Sequence, residues 1–144
     1  EITTRLVGSE MCIRDRLLDT LEYLKRGGRI SKTAALAGNL LSIKPVIAIV
    51  DGEVAVLGKA RGSKNGCNML REEIAKCNGI DFSMPICLGY TGLEDSLLQK
   101  YIEDNTDLWK SYVEELPISS IGSTIGTHTG PGGICVAFFS KTNS

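Results

Sequence analysis

The run Pro45-Val46-Ile47-Ala48-Ile49-Val50 meets Asp51-Gly52 and returns as Glu53-Val54-Ala55-Val56-Leu57. An apolar stretch of this length, opened by a proline and closed by turn residues, reads as a buried strand. Asp-Gly is a two-residue connection whose positive φ angles match the twist of paired strands, so the two runs form an antiparallel hairpin. A lone hairpin is marginal in water and needs further layers to bury its apolar face. The rest of the chain has to supply them.

It offers alternating helices and strands. Leu17, Leu18, Leu21 and Leu24 mark a short helical face, with Lys25 and Arg26 suited to its C-terminal dipole and Gly27-Gly28 to a left-handed exit. Ser31 caps a second predicted helix through Thr33 and Leu36, ending near 39–41. A helix is expected from about Lys64 to Lys76, with Met69, Leu70, Ile74 and Ala75 inward. Pro85-Ile86-Cys87-Leu88-Gly89 reads as a buried strand, followed by a helix over about Leu93 to Glu103. Asp107 to Leu116 reads as an amphipathic helix offering Leu108, Trp109, Tyr112, Val113 and Leu116 to a core. Ile118-Ser119 is a brief strand, Ser120 to His128 a short helix, and Ile134 to Phe139 the last strand. The fold class that follows is α/β, a mixed sheet with one β-hairpin flanked by helices.

Charge narrows the partners. Sixteen Lys and Arg against seventeen Asp and Glu leave no basic stripe, which argues against nucleic acid and anionic membrane surfaces. No apolar run reaches the length of a membrane span, and the cytoplasm is the expected compartment. Five cysteines without C-x-x-C spacing, beside a single histidine, read as buried free thiols rather than a zinc site, and no metal is expected.

Residues Leu6 to Arg16, Leu-Val-Gly-Ser-Glu-Met-Cys-Ile-Arg-Asp-Arg, read as the translation of a transposase-type sequencing adapter. Segments of that kind are set aside before fold reasoning. On this reading residues 1–16 are a non-native leader, native sequence begins near Leu17, and Met11 and Cys12 carry no function. Residues 17–144 then form one domain, and whatever the gene encodes upstream of Leu17 is missing.

Chemistry concentrates around the only histidine. Ile125-Gly126-Thr127-His128-Thr129-Gly130-Pro131-Gly132-Gly133 sets an imidazole among hydroxyls and glycines that let backbone N–H groups approach a ligand. At the end of a helix the dipole also favours a cation facing an anion. A satisfied turn histidine explains the same segment equally well. Arg29 in Gly27-Gly28-Arg29-Ile30-Ser31 has a planar fork suited to carboxylate or phosphate, although most such arginines are merely solvated. Gly58 to Gly66, which includes Arg61, is glycine-rich and basic but fits no Walker A spacing, and reads as a strand-to-helix turn with solvated charges. Glu72-Glu73 and Glu114-Glu115 are most simply solvated faces, and no nucleophile elbow accompanies His128.

Taken in order, Leu21 to Ser31, Leu40 to Pro45, Gly58 to Arg61 and Ile125 to Gly132 resemble the C-terminal half of the DegV family of bacterial fatty-acid-binding proteins. The resemblance implies a two-domain carrier that encloses one long-chain fatty acid and needs no cofactor. It implies that His128, with Thr127, Gly126 and Gly130, holds the carboxylate together with hydroxyls of the N-terminal domain. Arg29 and Arg61 are implied at the pocket mouth or at the surface facing a separate fatty acid kinase, which acts on the bound acid. The carrier itself is then not an enzyme. Gly62-Ser63-Lys64-Asn65 is less basic than the family pattern at that contact. Two other readings stay open: an enzyme using His128 as general base, a hydrolase or phosphotransferase, and a purely structural interaction domain.

Overall fold

A computed structural model describes residues 11–30, 43–50 and 53–141, with side chains from residue 16 onward. The elements run β1 (Met11–Leu17), α1 (Glu22–Arg26), β2 (Ile43–Val50), β3 (Glu53–Arg61), α2 (Gly62–Lys76), β4 (Cys87–Tyr90), α3 (Ser96–Asp104), α4 (Thr106–Trp109), β5 (Ile118–Ser120), α5 (Ser123–Thr129) and β6 (Ile134–Phe139). The strands make one six-stranded sheet in the order β3-β2-β1-β6-β4-β5. Every pairing is antiparallel except β4 with β5, so the sheet is mixed, as the alternation of elements predicts.

The hairpin strands pair from Val50↔Glu53 to Ile43↔Arg61. The return strand is longer than its apolar run, and Gly58 to Arg61, expected as a turn, is ladder backbone. A register shift near Val46 and Ile47 leaves Leu57 as an extra residue beside Gly58. At Gly58 the thioether end of Met69 on α2 lies over the backbone, so a Cβ there would have to push that flexible side chain aside. The Asp51-Gly52 turn and the predicted helix after Ser31 lie outside the described residues.

Alternation along the strands sorts side chains onto two faces. Leu17, Val46, Leu88, Ile134, Val136 and Phe138 face the larger core, with Leu70 and Ile74 of α2, Leu98 and Tyr101 of α3, and Trp109. Leu18, Leu24, Ile30 and Ile47 form a smaller cluster on the opposite face. This explains one departure from expectation. Leu17 and Leu18 are consecutive strand-type residues serving opposite faces, not the start of a helix, and Leu18 N–H extends the ladder to Pro45 O at 2.9 Å. The helix itself is only Glu22–Arg26.

Four further expectations change. Ala75 is exposed, because the buried stripe of α2 runs through Gly66, Cys67, Leu70 and Ile74. The helix expected over Asp107 to Leu116 stops at Trp109. Beyond it the chain must reach the sheet edge, where Pro117 O accepts Leu88 N–H at 2.9 Å and Ile118 pairs with Leu88. Tyr112 is exposed and stacks on Phe82 instead of entering the core. Of the described thiols, Cys67 and Cys135 are buried as expected, whereas Cys87 is exposed.

Residues Met11 to Arg16, expected to be a non-native leader, form most of β1, between β2 and β6. That strand carries a register irregularity between Ile13 and Asp15, and the buried Nε of Arg16 has no partner among the described residues.

Candidate functional site

β1, β3, β4 and β5 all end on the same side of the sheet, where β6 begins. Leu17 pairs with Val46 and Ile134, Tyr90 with Ile134 and Ser120, and Arg61 with Ile43. In open α/β sheets this edge, at the carboxyl ends of strands, is where ligands bind. α1, α5 and the loop into β6 gather there.

α5 is one short helix held by its own small side chains. Gly126 N–H donates to Gly122 O at 2.9 Å, and the hydroxyls of Thr127 and Thr129 donate to Ser123 O and Ile125 O at 2.7 and 3.0 Å. Gly130, at φ 75°, ends the helix and sends its N–H to Gly126 O at 2.8 Å. His128 therefore stands in the last turn, where the sequence puts it.

α1 closes against it. Arg29 N–H donates to Leu24 O at 2.9 Å and Gly28 N–H to Lys25 O at 3.2 Å, with Gly28 at φ 67°. This is the paired closure of a Schellman motif, and it explains Gly28. Gly27 has a different reason. A Cβ on it would lie 2.9 Å from Cε1 of His128 and closer still to Nδ1. A Cβ on Gly130 would lie 2.6 Å from Cε2 of Tyr23 and closer still to Cδ2. Each helix end thus carries a glycine that receives a ring from the other. The imidazole is half-buried, and its Nδ1 is covered with no hydrogen-bond partner among the described residues.

Arg29 joins the group, since its Nη1 donates to Gly27 O at 3.1 Å. Among the described residues neither Arg29 nor His128 has an acidic partner. Of the other cations nearby, Arg26 pairs with Glu22 and Lys44 with Asp19. Arg61 is not brought to His128. It is exposed at the end of the edge strand β3, where its carbonyl accepts Asn65 Nδ2 at 2.9 Å. Thr127 and Gly126 are exposed or half-exposed, and a Cβ on Gly126 would meet open space.

Sequence reasoning missed Tyr23 and Thr91. Tyr23 shows no signal because helical spacing puts it on the exposed side of α1. Thr91 follows a strand and precedes a glycine, a position that reads as a turn. A cleft of about 470 Å³ also adjoins the histidine loop, lined by Tyr90, Thr91, Leu97, Pro131 and Ile134 among others, but not by His128. No described helix is long and apolar enough to cross a membrane, and no cluster of metal-ligating side chains occurs among the described residues.

The sequence of residues 16–141 matches a family model described as an uncharacterised protein, DegV family. A DegV domain-containing protein of Clostridium perfringens is 39% identical over 128 residues, covering 87% of this chain and 42% of the relative. Among solved structures, a DegV family protein from Thermus thermophilus, described for its fatty acid binding, is similar with a TM-score of 0.67 and 28% identity. It covers 97% of this chain and 48% of its own. The Streptococcus pneumoniae fatty acid kinase B3 protein, loaded with linoleic acid, shares the fold with a TM-score of 0.77 at 20% identity, covering 97% and 47%. The chain thus spans less than half the length of these relatives.

Proposed function

Because this chain belongs to the DegV family, we propose that it provides the carboxylate-holding half of a long-chain fatty-acid site, with His128 as the central ligand. The observation that carries this reading is that the His128 ring lies against Gly27 while Arg29 Nη1 donates to the carbonyl of that same residue, two side chains without an acidic partner among the described residues. A fatty acid brings the missing negative charge, and a charged hydrogen bond to it is about twice as strong as a neutral one. Gly126, Thr127 and Gly130 shape the surface beside the ring, and Arg29 sits at the mouth. The Thermus thermophilus relative, described for fatty acid binding, supports the ligand class.

The relatives are about twice as long. We assign the other wall of the tunnel and further hydroxyl ligands to a second domain like theirs, with residues 17–144 as the C-terminal domain and 1–16 as an adapter-derived leader. The whole protein is then a carrier, non-enzymatic in itself, that offers bound fatty acid to a kinase whose contact surface includes Arg61. Cys67 and Cys87, neither of them in a disulfide among the described residues, suit a reducing compartment, which favours the cytoplasm. The reading as a general base has less support. A triad histidine donates from Nδ1 to an orienting acid, whereas Nδ1 of His128 lies against Gly27.

The test uses the single histidine as a spectroscopic label. Octanoate titrated into the chain is expected to shift the His128 Cε1–H resonance in a saturable way, weakly because only half the site is present. Arg29→Gln should weaken that response several-fold. An unmoved resonance at saturating octanoate, or ester turnover abolished by His128→Ala, would overturn the proposal.

A further inference from the structure

Thr91 makes more hydrogen bonds to the histidine loop than strand pairing requires. It follows β4 directly and is 3% exposed. Its N–H donates to Gly133 O at 3.0 Å and its carbonyl accepts Gly132 N–H at 3.0 Å, which extends the backbone pairing of β4 with β6. The side chain reaches further. Its Oγ1 accepts Gly133 N–H at 2.8 Å and donates to Gly130 O at 2.6 Å. The backbone alone would leave the loop attached only at Gly132 and Gly133. The hydroxyl is what ties down Gly130, the residue that ends α5 two positions after His128.

Close approach around this bond shows how little room the loop has. A Cβ on Gly133 would sit 2.9 Å from Thr91 Oγ1, and one on Gly92 would sit 3.3 Å from Pro131 Cβ. Gly130 is gripped on its other side by the Tyr23 ring. Its carbonyl is therefore fixed by β4 and its Cα by α1, and the orientation of the last turn of α5 follows from both.

We infer that Thr91 is the positioning residue of His128: its hydroxyl fixes the end of α5 so that the imidazole seats on Gly27 and offers its other nitrogen to the ligand. The inference rests on the reading of His128 as a carboxylate ligand, yet its geometric part can be tested without any ligand. The chain has one histidine, so the Cε1–H resonance of His128 reports ring placement without ambiguity. Thr91→Val keeps the shape and removes both hydroxyl bonds. It should displace and broaden that resonance and weaken octanoate binding about tenfold, the scale of one or two lost hydrogen bonds. Thr91→Ala, which adds no second γ-methyl, should give the same displacement. Thr91→Ser should restore both the resonance and the affinity. Ile74→Val, a core change on α2, should lower the melting temperature without moving the resonance.

If Thr91→Val and Thr91→Ala leave the resonance where Ile74→Val leaves it, or Thr91→Ser fails to restore it, the positioning role is wrong. If octanoate moves nothing in the unaltered chain, the carboxylate reading fails while the comparison of variants still decides the geometry.

Discussion

At Gly27 the backbone would welcome alanine and the neighbour would not. Its φ of −77° and ψ of −1° are ordinary helical angles, and replacing a helical glycine normally gains up to about 1 kcal/mol. The new methyl would overlap the imidazole of His128. Gly27→Ala should therefore destabilise the chain by about 1–3 kcal/mol, the usual cost of overpacking. Gly27→Ala with His128→Ala should recover most of that loss. Urea unfolding of the four chains gives the coupling, and additive losses would show that the two residues do not touch. Thiols allow a second check at this scale. Burial pushes the Cys67 thiol up to about 11, while Cys87 is exposed. Since the thiolate is the nucleophile, iodoacetamide at mildly alkaline pH should label Cys87 first and spare Cys67 until denaturant is added. Peptide mapping that found Cys67 labelled early would contradict the packing of α2.

Among the elements, β1 makes the sharpest conflict between sequence and place. Arg16 pairs with Ile47 and Cys135, both buried, and its own Nε is buried without a partner among the described residues. An unpaired buried donor costs about 1–3 kcal/mol. Arg16→Val should raise stability by about 1–2 kcal/mol, because a β-branched apolar residue suits a central strand; a loss would mean that the guanidinium has a partner after all. The tether between α2 and α4 behaves differently. Arg71 forks onto Asp107 and also reaches Asn105 Oδ1 at 3.0 Å. The bond to Arg71 holds the Asp107 carboxyl below its ordinary 3.8, so its contribution is full above that value and fades as pH falls through the lower folded one. As pH falls below about 4, Asp107→Asn should lose less stability than the unaltered chain; equal losses would mean the pair contributes nothing. The strands from β2 onward were legible in the sequence because alternation and the Asp-Gly signal are local, whereas β1 was not, because Met11 to Arg16 read as a leader and Leu17 as part of a helical face. The end of α4 was not, because Leu108, Val113 and Leu116 meet the core through turns as well as a helix would, and only the bond from Leu88 N–H to Pro117 O turns the chain outward.

For the whole molecule the question is which part of the sheet edge answers a fatty acid. His128 and the Gly27-Gly28-Arg29 block are far apart in sequence, and motif order could pair them only by resemblance. What joins them is packing between α1 and α5, invisible to spacing, just as Thr91 is invisible until β4 and β6 are seen side by side. Arg61 shares the edge but stands beyond β2 and β1, so it can meet a partner without touching the ligand. The cleft lined by Leu97 and Pro131 is the rival location. Amide hydrogen exchange separates them. Octanoate should slow exchange at Gly28, Arg29 and 128–130, where α1 and α5 meet. It should leave the opposite end untouched, where Ile80 bridges to Ser140 and Asp81 N–H donates to Phe139 O at 2.8 Å. Protection confined to 93–98 would move the ligand to the cleft and leave His128 a packing residue. Protection at both would make the cleft a continuation of one apolar path past the loop that Thr91 holds.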